Sequence, residues 1–230
     1  MHIRITFVLP HAGMSGGVRV VAEYARELKA RGHRVVVVSE PEGRESLLVR
    51  AKRLFKTGSW RRRDKSSLGS HVEAARVEHH VVKGSGALDD SDFPDADVMV
   101  ISWFGRAEAV RTVSESKGAK VYFLQHDDRS IVGTTFAKLH PRILQTWRFG
   151  WTMVAVSSWV ADRVEREVPG ARVKVAGNGV DRVVFAPRER CKRSGPLVLG
   201  IYFTTSPFKG CDVALEAYQI ARGKLGELAT

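Results

Sequence analysis

The stretch "LQHDDRS" (124–130) sets a histidine, two carboxylates and a guanidinium in four consecutive positions: His126, Asp127, Asp128 and Arg129. An imidazole in such a loop can hydrogen-bond a hydroxyl or carry its proton, and a flanking carboxylate can orient the ring. The plainer reading is a polar loop that ends a strand. Near the amino terminus, "PHAGMSGGVRV" (10–20) gathers Gly13, Ser15, Gly16 and Gly17 between an apolar run and residues with helical spacing. Where a strand gives way to a helix, the first N–H groups have no intrahelical partners and can point at an anion. The plainer reading here is glycine for a tight turn. The G-x-x-G-G spacing departs from the G-x-G-x-x-G of dinucleotide sites. Glu40 does stand where such sites place an acid, so an NAD(P)-dependent oxidoreductase is a lesser alternative. No Lys-Ser/Thr pair follows the glycines as in a P-loop, and neither a hydrolase elbow nor zinc-ligand spacing occurs.

These residues need a scaffold, and the sequence supplies an alternating one. Apolar runs at 3–9, 33–40, 77–82, 95–102, 119–125, 152–158 and 172–177 predict seven strands. Helical spacing over 18–31, 106–117, 134–148 and 158–168 predicts helices between several of them. The alternation implies an α/β fold: a doubly wound, mainly parallel, Rossmann-like sheet over residues 1–177. Ligands of such sheets sit outside the carboxyl ends of the strands, where the glycines and His126 both fall. The stretch "NGVDRVVFAPRERCKRSGP" (178–196) is turn-rich and charged and reads as a linker. From 197 to 230 a second α/β unit is expected to begin and stay incomplete, with "LVLGIYF" as a strand and "CDVALEAYQIARGKL" as a helix. Neither can bury its own apolar face, so Val213, Leu215, Ala217, Tyr218 and Ile220 form a candidate sticky stripe.

Composition limits the classes. Over 230 residues, 43% are hydrophobic, enough for a real core. No apolar run is long enough to cross a bilayer and no signal-peptide pattern opens the chain. Cys191 and Cys211 lack metal-like spacing, so a reducing cytoplasm is the expected setting and no metal is expected. The net charge is +12, and residues 44–65 carry +7 of it. There Lys52, Arg53, Lys56, Arg61, Arg62 and Arg63 accompany an apolar stripe and Trp60. Such a segment can rest on an anionic membrane surface or meet a polyanion, or it is simply a solvated basic face. Only Phe55 and Trp60 offer aromatic platforms among the basic residues, which argues against nucleic acid. A non-catalytic basic α/β module is thus the main alternative to an enzyme.

Taken together, the motifs resemble the family-4 glycosyltransferases of GT-B fold, in its amino-terminal, acceptor-side half. "SGGVRVVAEYARELKARGHRVVVVS", "DADVMVISWFGRAEAV", "KVYFLQHDD", "VAVSSWVADRV" and "KVAGNGVD" with "FAP" follow the family's order across nearly the whole chain. The resemblance implies a retaining enzyme that moves a sugar from a nucleotide-sugar donor to a glycan or lipid-linked hydroxyl, as in cell-surface polysaccharide synthesis, with no cofactor. It places Ser15, Gly16 and Gly17 at the donor diphosphate or reacting sugar and His126 at the acceptor hydroxyl, with Asp127 the rival for that role. Asn178, Gly179 and Asp181 become the turn into the interdomain connection. Lys209 and Gly210 match the family's donor-phosphate "KG", while the arginine expected just before it reads as Phe203 or Thr204. The family's paired glutamates do not occur before Thr230, so the donor site is expected to be incomplete in this chain.

Overall fold

The computed structural model describes residues 1–41, 69–83, 87–132, 134–186, 198–203 and 209–225. Seven strands form one sheet: β1 (Arg4–Leu9), β2 (Arg34–Ser39), β3 (Glu78–Val81), β4 (Val98–Ile101), β5 (Ala119–Leu124), β6 (Thr152–Ala155) and β7 (Val173–Val175). Their order is β3-β2-β1-β4-β5-β6-β7 and every pairing is parallel. All seven predicted strands form. The direction of winding reverses between β1 and β4, and the crevice at such a switch point is where doubly wound sheets bind ligands.

The sheet is buried on both faces because its central strands are almost wholly apolar. Ile5, Phe7 and Leu9 of β1 pack with Val35 and Val37 against α1 (Gly16–Ala30), through Val18, Val21 and Ala25. Val8, Val36, Met99, Ile101, Tyr122 and Leu124 face the opposite layer. That layer includes α3 (Phe104–Ala109), α5 (His140–Trp147) and α6 (Ser158–Glu167), which contribute Ala107, Ile143, Trp147, Val160 and Val164. Successive residues of each strand point to opposite layers, and full burial of each large side chain contributes about 1.5–3 kcal/mol on either side.

Several expected elements differ. The single helix expected over 106–117 is α3 followed by a turn and a 3₁₀ turn at Glu115–Lys117. The helix expected over 134–148 is a 3₁₀ stretch, Thr134–Leu139, and then α5, because Pro141 is accepted only in a first helical turn. A short helix, α2 (His71–Ala74), was not expected; Ser70 and Glu73 close a reciprocal capping box around it. The strand expected at "LVLGIYF" does not form over 198–203, and Val198, Leu199, Tyr202 and Phe203 are exposed. A strand exists by pairing, and the described sheet ends at β7 with no neighbour for this segment. The expected helix does form beyond it as α7 (Cys211–Leu225), with Val213, Leu215 and Ile220 exposed and Cys211 buried. The remaining short helix, α4 (Asp128–Val132), begins inside the chemistry-bearing loop.

Candidate functional site

The carboxyl ends of β1, β4 and β5 bring the glycine turn and the histidine loop together. Ser15 caps α1, its hydroxyl oxygen accepting the Val18 N–H at 3.4 Å. No acidic residue occupies the first turn of α1, and Gly16 and Gly17 are exposed, so the positive helix end and its unbonded N–H groups face solvent. From the far side of β4, Gln125 Nε2 donates to the Gly17 carbonyl at 3.2 Å. A Cβ at Gly17 would lie 3.3 Å from Gln125 Oε1, tighter than ordinary van der Waals contact. A side chain at Gly17 would therefore displace the Gln125 amide by a few tenths of an ångström.

His126 follows Gln125. Its Nδ1 is buried 2.8 Å from Asp128 Oδ1, although the approach is off the line of the ring N–H. Trp103, just after β4, meets the ring edge-on, with centroids 5.9 Å apart and planes at 80°. The His126 side chain is 35% exposed, and with Nδ1 buried the nitrogen available to a ligand is Nε2. The Asp128 side chain is only 4% exposed. Its Oδ2 accepts the Phe104 N–H at 3.2 Å and the Tyr122 hydroxyl at 3.4 Å. Burial, and then the Asp128 charge, push the Tyr122 hydroxyl well above the usual tyrosine range, so it stays a donor.

Asp127 turns the other way. Its side chain is 1% exposed and lies 2.8 Å from Arg129 Nη2. It also accepts from the Arg129 backbone N–H at 3.0 Å and from Arg163 Nε at 3.4 Å. Arg129 continues to Glu167 at 2.6 Å and lies over the Trp147 ring. Burial raises the Asp127 carboxyl, but the Arg129 bonds and the Arg129 and Arg163 charges outweigh it, and the group ends below its usual range. The carboxylate that the sequence placed as the rival to His126 thus belongs to an ion-pair network. Glu40 is likewise occupied: it pairs with Arg106, and both side chains are mostly buried. It is not open to a ribose.

The remaining candidates are placed separately. Asn178 and Gly179 are exposed beyond β7, and Asp181 Oδ1 accepts the N–H groups of Val183 and Val184 at 2.8 and 3.1 Å, making a tight turn. Tyr24 donates to the Gly177 carbonyl at 3.0 Å and Arg19 lies over the Phe185 ring, so this turn is laid along α1 beside a cleft of about 890 Å³. Lys209 and Gly210 precede α7, and Gly210 takes a positive φ of +64°. Lys52, Arg53, Lys56, Trp60, Arg61, Arg62 and Arg63 lie outside the described residues. Among the described residues, no group of three or more His, Cys, Asp or Glu side chains has a metal-binding arrangement. Sequence reasoning gave no role to Gln125 or Trp103, although both stand in motifs that carry the family resemblance, "KVYFLQHDD" and "DADVMVISWFGRAEAV".

Comparison with known proteins adds a family. The profile of Glycosyltransferase Family 4 (Glyco_transf_4) matches residues 14–183, which include the glycine turn, Trp103, the 124–130 loop and the turn at 178–181. No curated protein sequence matches the chain. Among solved structures, similarity extends to a glycosyltransferase from Rickettsia africae ESF-5, with a TM-score of 0.44 at 16% identity over 100% of this chain and 50% of that one. It also extends to the glycotransferase of kitacinnamycin, with a TM-score of 0.41 at 16% identity over 89% of this chain and 60% of that one. The chain therefore spans about half the length of the first of these structures and three-fifths of the second.

Proposed function

The chain belongs to glycosyltransferase family 4, and from that membership we propose that it serves sugar transfer from a nucleotide-sugar donor to a hydroxyl acceptor, with retention at the sugar carbon. The observation that carries this reading is the Gln125–Gly17 bond, which joins the glycine turn to the histidine loop inside the matched segment. In this reading the N–H groups of Gly16 and Gly17, after the Ser15 cap, face the donor diphosphate or the reacting sugar, where a helix end favours growing negative charge. Nε2 of His126 accepts the hydrogen bond of the acceptor hydroxyl. As the bond from the sugar carbon to the phosphate oxygen breaks, the nucleotide diphosphate leaves with the electron pair. The hydroxyl oxygen bonds to that carbon on the same face, and the hydroxyl proton passes to the departing phosphate oxygen. Lys209 and Gly210 meet donor phosphate, and Asn178, Gly179 and Asp181 form the hinge. The nucleotide-sugar is a co-substrate, and the reading assigns no step to a metal. The basic segment around Trp60 favours a glycan or lipid-linked acceptor at an anionic cytoplasmic membrane face, reached peripherally.

The test is transfer from a panel of nucleotide diphosphate sugars, assayed with the protein as its cells make it. His126→Ala is expected to lower kcat about 100-fold. Gly17→Val, which drives a side chain into Gln125, is expected to raise the donor KM. A parent protein that consumes no donor, or a His126→Ala variant that transfers as well as the parent, overturns the reading.

A further inference from the structure

We infer that Asp128 is a positioning residue that fixes the tautomer of His126, an inference that rests on His126 being the acceptor-site group. The two oxygens of Asp128 face opposite ways and make different demands. Oδ2 meets the Phe104 backbone N–H, which can only donate, and the Tyr122 hydroxyl. That side of the carboxyl must be an acceptor. Oδ1 lies 2.8 Å from Nδ1 of His126, and an ionised carboxylate offers it only lone pairs. In the inferred bond the ring turns so that the Nδ1–H points at Oδ1. The neutral imidazole then carries its proton on Nδ1 and its lone pair on Nε2, the nitrogen that reaches solvent. Trp103 stands edge-on to the ring and limits its swing.

The same carboxyl joins the elements that must stay in register for this to work. Asp128 opens α4, binds the first residue of α3 and reaches back to Tyr122 in β5. It is almost wholly buried, so its bonds compete little with water. The His126–Asp128 contact is therefore built into the fold and does not depend on a ligand.

Substitution by asparagine separates positioning from folding. An amide has one acceptor oxygen, and Phe104 N–H and Tyr122 OH claim it. The NH₂ group is left against Nδ1, which must then accept, so the imidazole proton moves to Nε2. A hydroxyl approaching Nε2 would meet a donor where it needs an acceptor.

The experiment is ¹⁵N NMR of the labelled histidine rings, recorded above the usual histidine range, with His126→Gln identifying the His126 signals among eight histidines. The parent is expected to show a protonated Nδ1 and a bare Nε2, and Asp128→Asn the reverse. A parent ring protonated at Nε2, or an Asp128→Asn ring unchanged from the parent, overturns the inference. The parent measurement stands even if Asp128→Asn does not fold. In the transfer assay, Asp128→Asn is expected to lower kcat at least about tenfold with the donor KM unchanged. The NMR readout needs no substrate, so its failure is distinct from failure of the proposed transfer, which His126→Ala tests.

Discussion

Asp127 and Asp128 are the same residue type one position apart, yet they serve different surroundings. β5 ends at Leu124, and the loop beyond it sends Asp127 toward α6 and Asp128 toward α3. Asp127 accepts from Arg129 three times, counting the backbone N–H, the nearer Nε contact and Nη2, and also meets Arg163. Removing one partner of a buried pair strands the other, so Asp127→Ala is expected to destabilise by about 3 kcal/mol, read as a fall in the urea midpoint. The pH dependence has a definite sign. Because the folded carboxyl sits below its usual range, its stabilisation is present above the unfolded carboxylate range and is lost as pH falls through the folded value. Urea midpoints below about pH 4 are therefore expected to fall more steeply for the parent than for Asp127→Asn. Parallel acid profiles would show that the network carries no net charge stabilisation.

At the scale of elements, the sequence was legible wherever periodicity ran long. The valine run of β2 suits a strand buried on both faces, the Val18, Val21, Ala22, Ala25 stripe of α1 leaves little choice of face, and both elements form within two residues of their expected bounds. Legibility failed where a tertiary neighbour decides. Segment 198–203 has a strand's composition and, among the described residues, no strand to pair with, and 134–139 tightens to a 3₁₀ stretch before Pro141. The site divides in the same way. Ser15 and the glycines announce themselves by position after β1, whereas the choice between Asp127 and Asp128 depends on arginines and backbone groups far away in sequence. A glycine pair tests the element reading directly. Gly118 opens β5 with φ +113°, and a Cβ there would lie 2.7 Å from the Val98 carbonyl carbon of β4. Gly118→Ala is expected to cost at least about 2 kcal/mol, because backbone on a paired strand cannot yield. Gly16 is helical and a Cβ there would meet nothing within 4 Å, so Gly16→Ala is expected to stabilise by about 0.5–1 kcal/mol. Denaturant midpoints that move in the same direction for both variants would contradict these placements.

Over the whole molecule, the dominant feature of the sequence beyond its strand and helix pattern is charge, a net +12. Among the described residues no helix is long and apolar enough to cross a membrane. Residues 44–65 hold seven of the twelve net positive charges, with Arg61, Arg62 and Arg63 following Trp60. Each Lys or Arg near an anionic leaflet contributes about 1 kcal/mol, attenuated by salt, while tryptophan favours the headgroup level. Three arginines therefore contribute on the order of 3 kcal/mol, more than a hundredfold in partitioning. The chain is expected to co-sediment with vesicles containing anionic lipid, to leave neutral vesicles in solution and to be released by high salt. Replacing Arg61, Arg62 and Arg63 by Gln is expected to weaken that binding at least about tenfold, allowing for screening. The melting temperature is expected to barely move, because arginine is seldom fully buried and surface substitutions rarely change stability by more than about 0.5 kcal/mol. If the triple variant sediments like the parent, the arginines form a solvated face, and the acceptor hydroxyl belongs on a soluble sugar instead of a lipid-linked one.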